Sequence, residues 1–180
     1  EFRLQIPLER GNLVEKNVIV DRGEEHQRNM CEGAPRGWIW ERNKFSGLQI
    51  DATESIVRGN VFINNGQTNM VSFVGPAQNN RTYNNSYSMN YRSVYFWGEV
   101  DGTHPFPFSN NVYKNNVFYQ DVENAVFANS ARKLGKSIFQ ANDFYSAPLW
   151  YRSTKGPHSL VESTYPDEFS GNFSIDPQFV

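Results

Sequence analysis

At 180 residues the chain is long enough for one domain with a sizeable core, and a net charge of −2 leaves no basic stripe for gripping nucleic acid. No apolar run approaches the roughly 18 residues a membrane helix needs. The 21 asparagines and 15% aromatic content, with few apolar residues at helical spacing, make the class all-β.

The opening, "EFRLQIPLERGNLVEKNVIV", carries neither an initiator Met nor a signal peptide and reads as a processed product or a piece of a longer protein. Short β-like runs start near residue 12 and break at about 21–46, "DRGEEHQRNMCEGAPRGWIWERNKFS". Cys31 in that stretch stands alone, so no internal disulfide forms and the redox compartment stays open.

From there one phrase recurs: Asn, any residue, an aromatic. It stands at Asn60-Val61-Phe62, Asn85-Ser86-Tyr87, Asn116-Val117-Phe118 and Asn142-Asp143-Phe144, with an echo at Asn172-Phe173. A second track runs between, at Leu48-Gln49-Ile50, Val71-Ser72-Phe73, Val94-Tyr95-Phe96, Ala125-Val126-Phe127 and Leu149-Trp150-Tyr151. Both tracks lengthen together between Phe96 and Asn116, where "GEVDGTHPFPF" forms a second insertion at about 98–108. A period in the mid-twenties with several short strands per repeat marks a β-solenoid. Leucine-rich repeats share the period but need Leu at fixed points, and Leu is scarce.

With these repeats the chain resembles the right-handed parallel β-helix superfamily, which includes pectate lyases, polygalacturonases and related polysaccharide enzymes. The resemblance covers about residues 12–175 and implies a single all-β domain over 1–180, a right-handed parallel β-helix of about six coils carrying two loop insertions. It also implies a polysaccharide or oligosaccharide partner and an extracellular or periplasmic location. Polar covers for the terminal coils are not obvious at either end, so the expectation is that the remainder of a longer chain, a homo-oligomeric partner or irregular ends close the solenoid.

Stacked coils lie about 4.8 Å apart, so equivalent residues sit above one another. An inward Asn at each corner can bond the backbone and its neighbours in a ladder, and Asn tolerates the left-handed backbone that corners need. The matches to glycosylation sequons at Asn80, Asn84 and Asn172 are those an Asn-rich repeat produces by chance.

Alternation along the second track places Leu48, Ile50, Val71, Phe73, Val94, Phe96, Phe127 and Tyr151 inward. Gln49, Ser72, Tyr95, Val126 and Trp150 form one outward column; Asp51, Val74, Trp97, Ala128 and Arg152 form another. Exposed aromatics on a flat sheet mark a contact site, and sugar rings offer apolar faces to aromatics and hydroxyls to polar side chains. Tyr95, Trp97, Trp150 and Arg152 are therefore the candidate substrate-binding residues. The competing reading folds the two insertions over these aromatics as a satellite core.

For chemistry, Asp51 follows a strand, and Glu99, Asp101 and His104 lie together on the second insertion. Two carboxylates roughly 5 to 10 Å apart suffice to hydrolyse a glycosidic bond. Asp51 equally suits a turn cap and Asp101-Gly102 a turn. His26 and Arg28 on the first insertion are alternative bases for β-elimination. No cofactor is expected: three His and one Cys lack zinc spacing, and calcium, as in many pectate lyases, has only the short runs "DVE" and "EVD" in its favour. The Asn-Thr-Asp, Asp-Asp, Gly-His-Gly and Arg-Ile-Lys motifs of polygalacturonases and the Trp-Ile-Asp-His of pectate lyases are missing, so no catalytic residue carries over. The expected function is a carbohydrate-active protein, hydrolase ahead of lyase; the alternative is a non-catalytic surface, adhesion or assembly module.

Overall fold

The computed structural model describes residues 4–6, 11–20, 46–50, 52–65, 67–71, 77–97, 108–128 and 135–178. Strands β1 (Leu4–Ile6), β4 (Ser46–Ile50), β7 (Gln67–Val71), β11 (Arg92–Trp97), β15 (Asn124–Phe127) and β18 (Leu149–Tyr151) stack in parallel, and β19 (Thr154–Gly156) ends that sheet antiparallel. A second parallel sheet stacks β2 (Leu13–Glu15), β5 (Ile56–Arg58), β9 (Arg81–Tyr83), β13 (Val112–Lys114), β16 (Ile138–Gln140) and β20 (Phe169–Ser170). The third holds β3 (Val18–Val20), β6 (Val61–Ile63), β10 (Ser86–Ser88), β14 (Val117–Tyr119) and β17 (Asp143–Tyr145); β8 (Ala77–Gln78) pairs with β12 (Phe108–Ser109). Successive strands of each sheet come from successive coils, which is a parallel β-helix of about six coils, as the repeat predicts. Apart from Ser46 and Phe108, the two insertions fall outside the described residues.

The local rule is shorter than the coil. Three-residue strands bury their middle residue and leave its neighbours part-exposed, and the chain turns a corner every fifth residue. The first corner residue has positive φ, as at Asn64 (57°), Asn79 (57°), Asn84 (54°), Asn110 (56°) and Asn115 (54°). The second turns inward and is buried: Asn65, Asn80, Asn85, Asn111 and Asn116. This explains the Asn-Asn pairs. One Asn accepts the left-handed backbone that most side chains resist, and the next satisfies the corner's buried polar groups.

The longest ladder runs Asn17, Asn60, Asn85, Asn116, Asn142, Asn172. Each backbone N–H donates to the next Oδ1, at 3.0, 3.0, 3.1, 3.0 and 3.0 Å. Each Nδ2 from Asn60 onward also donates to a backbone carbonyl of the preceding coil, as Asn85 Nδ2 does to Val57 at 3.0 Å. Shorter ladders link Ser55, Asn80 and Asn111, and Asn65, Asn90 and Asp121. Asn80 is thus buried with its amide engaged, which leaves no room for a glycan on that sequon, whereas Asn84, the acceptor of the next one, is exposed at its corner.

Between the ladders, Phe62, Tyr87, Phe118 and Phe144 stack at 4.8 Å between successive ring centroids, the inward column expected two places after each Asn. A second column stacks Tyr113 on Phe139 at 4.7 Å and Phe139 on Phe169 at 4.5 Å. The Tyr113 hydroxyl is buried with no hydrogen-bond partner, and burial pushes its pKa well above the ordinary value. An unmet buried hydroxyl costs about 1 to 3 kcal/mol. Tyr113→Phe is therefore expected to leave the thermal midpoint unchanged or raise it, checked by circular-dichroism melting.

The C-terminal coil does have a cover. After β19, helix α1 (His158–Thr164) lies over the open end. His158 stacks on Phe144 at 6.1 Å and continues the aromatic column, while Val161 is fully buried. Glu162 accepts from Gly171 N–H (2.8 Å), Asn172 N–H (3.3 Å) and Asn172 Nδ2 (3.1 Å). A carboxylate thus takes the place a further Asn would fill. The expectation of no obvious cover fails at this end because the cap uses residues outside the repeat.

Candidate functional site

The outer face of the seven-stranded sheet is where sequence reasoning placed the contact residues. Pairing puts Gln49 beside Asn69, Asn69 beside Tyr95, Tyr95 beside Phe127, and Phe127 beside Trp150. Tyr95 and Trp150 do share one outward column. The residue between them is Phe127, not Val126. Val126 pairs with Val94 and Leu149 and is fully buried, and Ala128, expected outward, is 1% exposed.

The cause is the corner leading into this sheet, whose length varies from coil to coil. From the ladder residue to the first inward strand residue the chain runs Asn90 to Val94, Asp121 to Val126, and Ala147 to Leu149. A slip of one residue exchanges the two faces of a strand. In the third coil Asn69 occupies the place expected for Ser72, and Ser72, Phe73 and Val74 lie outside the described residues. A register shift between Arg92 and Tyr95 accompanies the change.

The rings in this column meet edge to face, Tyr95 to Phe127 at 5.2 Å and 73°, Phe127 to Trp150 at 5.2 Å and 74°. Cations cover parts of the row. The Arg92 guanidinium sits 3.9 Å from the Phe127 ring centre and 5.0 Å from that of Tyr95, held by an ion pair with Glu123. Lys155, opposite Trp150 on β19, places its ammonium 4.8 Å from the indole. The arrangement is a row of rings whose middle member lies under the Arg92 guanidinium and whose last member carries the Lys155 ammonium. Phe127 is itself 7% exposed, so Tyr95 and Trp150 supply most of the accessible ring surface.

Sequence reasoning missed Phe127, Arg92 and Lys155. The signal for Arg92 was present in "YRSVYFW", a cation set among aromatics on one strand. Lys155 depends on the hairpin after β18, which no repeat forecasts.

Arg152 follows Tyr151 at a corner with φ of 52°. Its Nη2 pairs with Glu168 Oε1 at 3.3 Å, and its guanidinium lies 5.4 Å from the Tyr151 ring and 6.0 Å from that of Tyr165. Glu168 also accepts from the Tyr151 hydroxyl and from Ser137 N–H. Arg152 is therefore built into the C-terminal cap. Trp97 closes β11 opposite Val71; the expectation for its side chain lies outside what is described.

Asp51, Glu99, Asp101 and His104 lie outside the described residues, as do His26 and Arg28. The strands that lead to them are placed. Ile50 and Phe96 both pair with Met70, so β4 and β11 end at one edge of the sheet with β7 between them. That is a separation of about 10 Å by strand spacing. Among the described residues, no three His, Cys, Asp or Glu side chains group as a metal site. Comparison with protein-family models, with curated proteins and with solved structures returns no match to this chain.

Proposed function

We propose that this protein is carbohydrate-active and binds a polysaccharide lengthwise along the outer face of the seven-stranded sheet, in an extracellular or periplasmic setting. The observation that carries the reading is the column Tyr95, Phe127, Trp150, with adjacent ring centres 5.2 Å apart. Tyr95 and Trp150, two coils apart with the buried Phe127 between them, offer rings along the solenoid axis, which suits a linear polymer whose apolar sugar faces repeat along the same axis. Arg92 over Phe127 and Lys155 beside Trp150 supply hydrogen-bond donors for hydroxyl or carboxylate groups.

Cleavage is the further part of the proposal. Asp51 with Glu99 or Asp101 would act as the carboxylate pair of a glycoside hydrolase, with His104 a further candidate. Elimination by His26 or Arg28 is the alternative chemistry. A panel of polysaccharides incubated with the protein decides between them. New reducing ends without the ultraviolet absorbance of an unsaturated product mean hydrolysis, and loss of those ends in Asp51→Asn or Asp101→Asn would support the assignment. Reducing ends with that absorbance would replace hydrolysis by elimination, and no new ends across the panel would remove the cleavage step.

A further inference from the structure

We infer that Asp121 is held as a neutral carboxylic acid in the folded coil, its proton standing in for an amide hydrogen of the asparagine it replaces, so that the corner it anchors is a proton-dependent latch. Asp121 ends the ladder that begins at Asn65 and Asn90, and its Oδ1 accepts Asn90 N–H at 3.1 Å, the bond an Asn would make. In the neighbouring ladders the Nδ2 of Asn111 and of Asn116 donates to a carbonyl of the coil before, those of Ala77 and Thr82. Counting back the same way, the carbonyl facing Asp121 belongs to Tyr87. An ionised carboxylate would set oxygen against oxygen there. A carboxyl O–H restores the donor.

The orphaned atoms agree. Asp121 Oδ2 is buried without a partner, and so is Asn124 Oδ1 three residues on. As a carboxylate the Asp121 oxygen could only accept, so a hydrogen on it is what this position lacks. The next coil offers Ala147 at this ladder position. The side chains bonded to the carboxyl are those of Ser93 and Asn90, neither titratable, and the charged residues of the corner, Arg92 and Glu123, pair with each other on the outer face. Burial raises the Asp121 pKa to about 8, against the pull of the hydrogen bonds from Ser93 and Asn90.

The unfolded carboxyl titrates near 3.8 and the folded one near 8, so the folded state binds the extra proton between those values. Stability from this group is complete below the lower value and is lost as pH rises through the upper one. The corner carries Glu123 and leads into β15, so its loosening would release the Arg92 cover from Phe127.

Thermal midpoints of wild type and Asp121→Asn from about pH 5 to about pH 9 test this, because Asn keeps the donor at every pH. The wild-type midpoint is expected to fall more steeply, with the variant ahead by about 5 °C or more at the alkaline end. Parallel curves would overturn the inference. Should the variant not fold, carboxyl carbon NMR of aspartate-labelled wild type serves instead. One aspartate still protonated near neutral pH is expected, and all of them ionised there would overturn it. A wild-type midpoint lowered by EDTA at alkaline pH would show a cation holding the two oxygens in place of the proton, and would overturn it too.

Discussion

Asn116→Ala is expected to lower stability by about 3 to 5 kcal/mol, a midpoint loss on the order of 10 °C for a chain of this length. Asn116 sits mid-ladder and is 1% exposed. Its Oδ1 accepts Asn85 N–H at 3.1 Å and Asn85 Nδ2 at 3.0 Å, and its Nδ2 donates to the Thr82 carbonyl and to Asn142 Oδ1, both at 3.0 Å. Alanine removes all four bonds and leaves a backbone N–H and a backbone carbonyl buried without these partners, which is what makes the change costly. Asn116→Asp separates shape from hydrogen bonding. It keeps the acceptor but turns an oxygen toward Thr82 O, so the loss should be large at neutral pH and partly recovered in acid, where the carboxyl regains a donor. Circular-dichroism melting of both variants checks the pair, and a neutral Asn116→Ala would contradict the inward ladder.

Phe118→Ala is expected to cost a similar amount, about 3 to 5 kcal/mol. Phe118 is fully buried and stacks on Tyr87 and Phe144, each at 4.8 Å with ring planes 7° and 8° apart. Those distances equal the strand spacing, so the rings are held in register by the backbone and cannot close over a missing member. The residual cavity therefore adds to the lost burial. Phe118→Leu keeps most of the volume and should cost less, about 1 kcal/mol. Equal effects from the two substitutions would show that the stack contributes shape alone.

The coil could be read from the sequence because its repeat is enforced by geometry: identical residues over identical corners give a period. The shorter step of five was hidden. Ser55 and Ser137 replace Asn on one corner column, and Asp121 and Ala147 on another, so only the column through Asn60 and Asn116 showed plainly. The face carrying the aromatic row was partly legible. Tyr95 and Trp150 were placed on one outward column, but Val126 was put where Phe127 stands, because the corner before β15 is longer than the one before β18. The cap escaped notice for a related reason. Glu162 and His158 continue a ladder and a stack with residue types that appear nowhere else in them.

The measurement closest to the central claim is retention of the protein on immobilised polysaccharides, comparing wild type with a Tyr95→Ala, Trp150→Ala double variant whose folding is confirmed by its melting curve. The outer face of the seven-stranded sheet as a glycan site predicts that wild type is held by at least one polysaccharide and that the folded double variant is held at least about tenfold more weakly. Equal retention of the two would contradict it, and so would the absence of retention for wild type on every polymer.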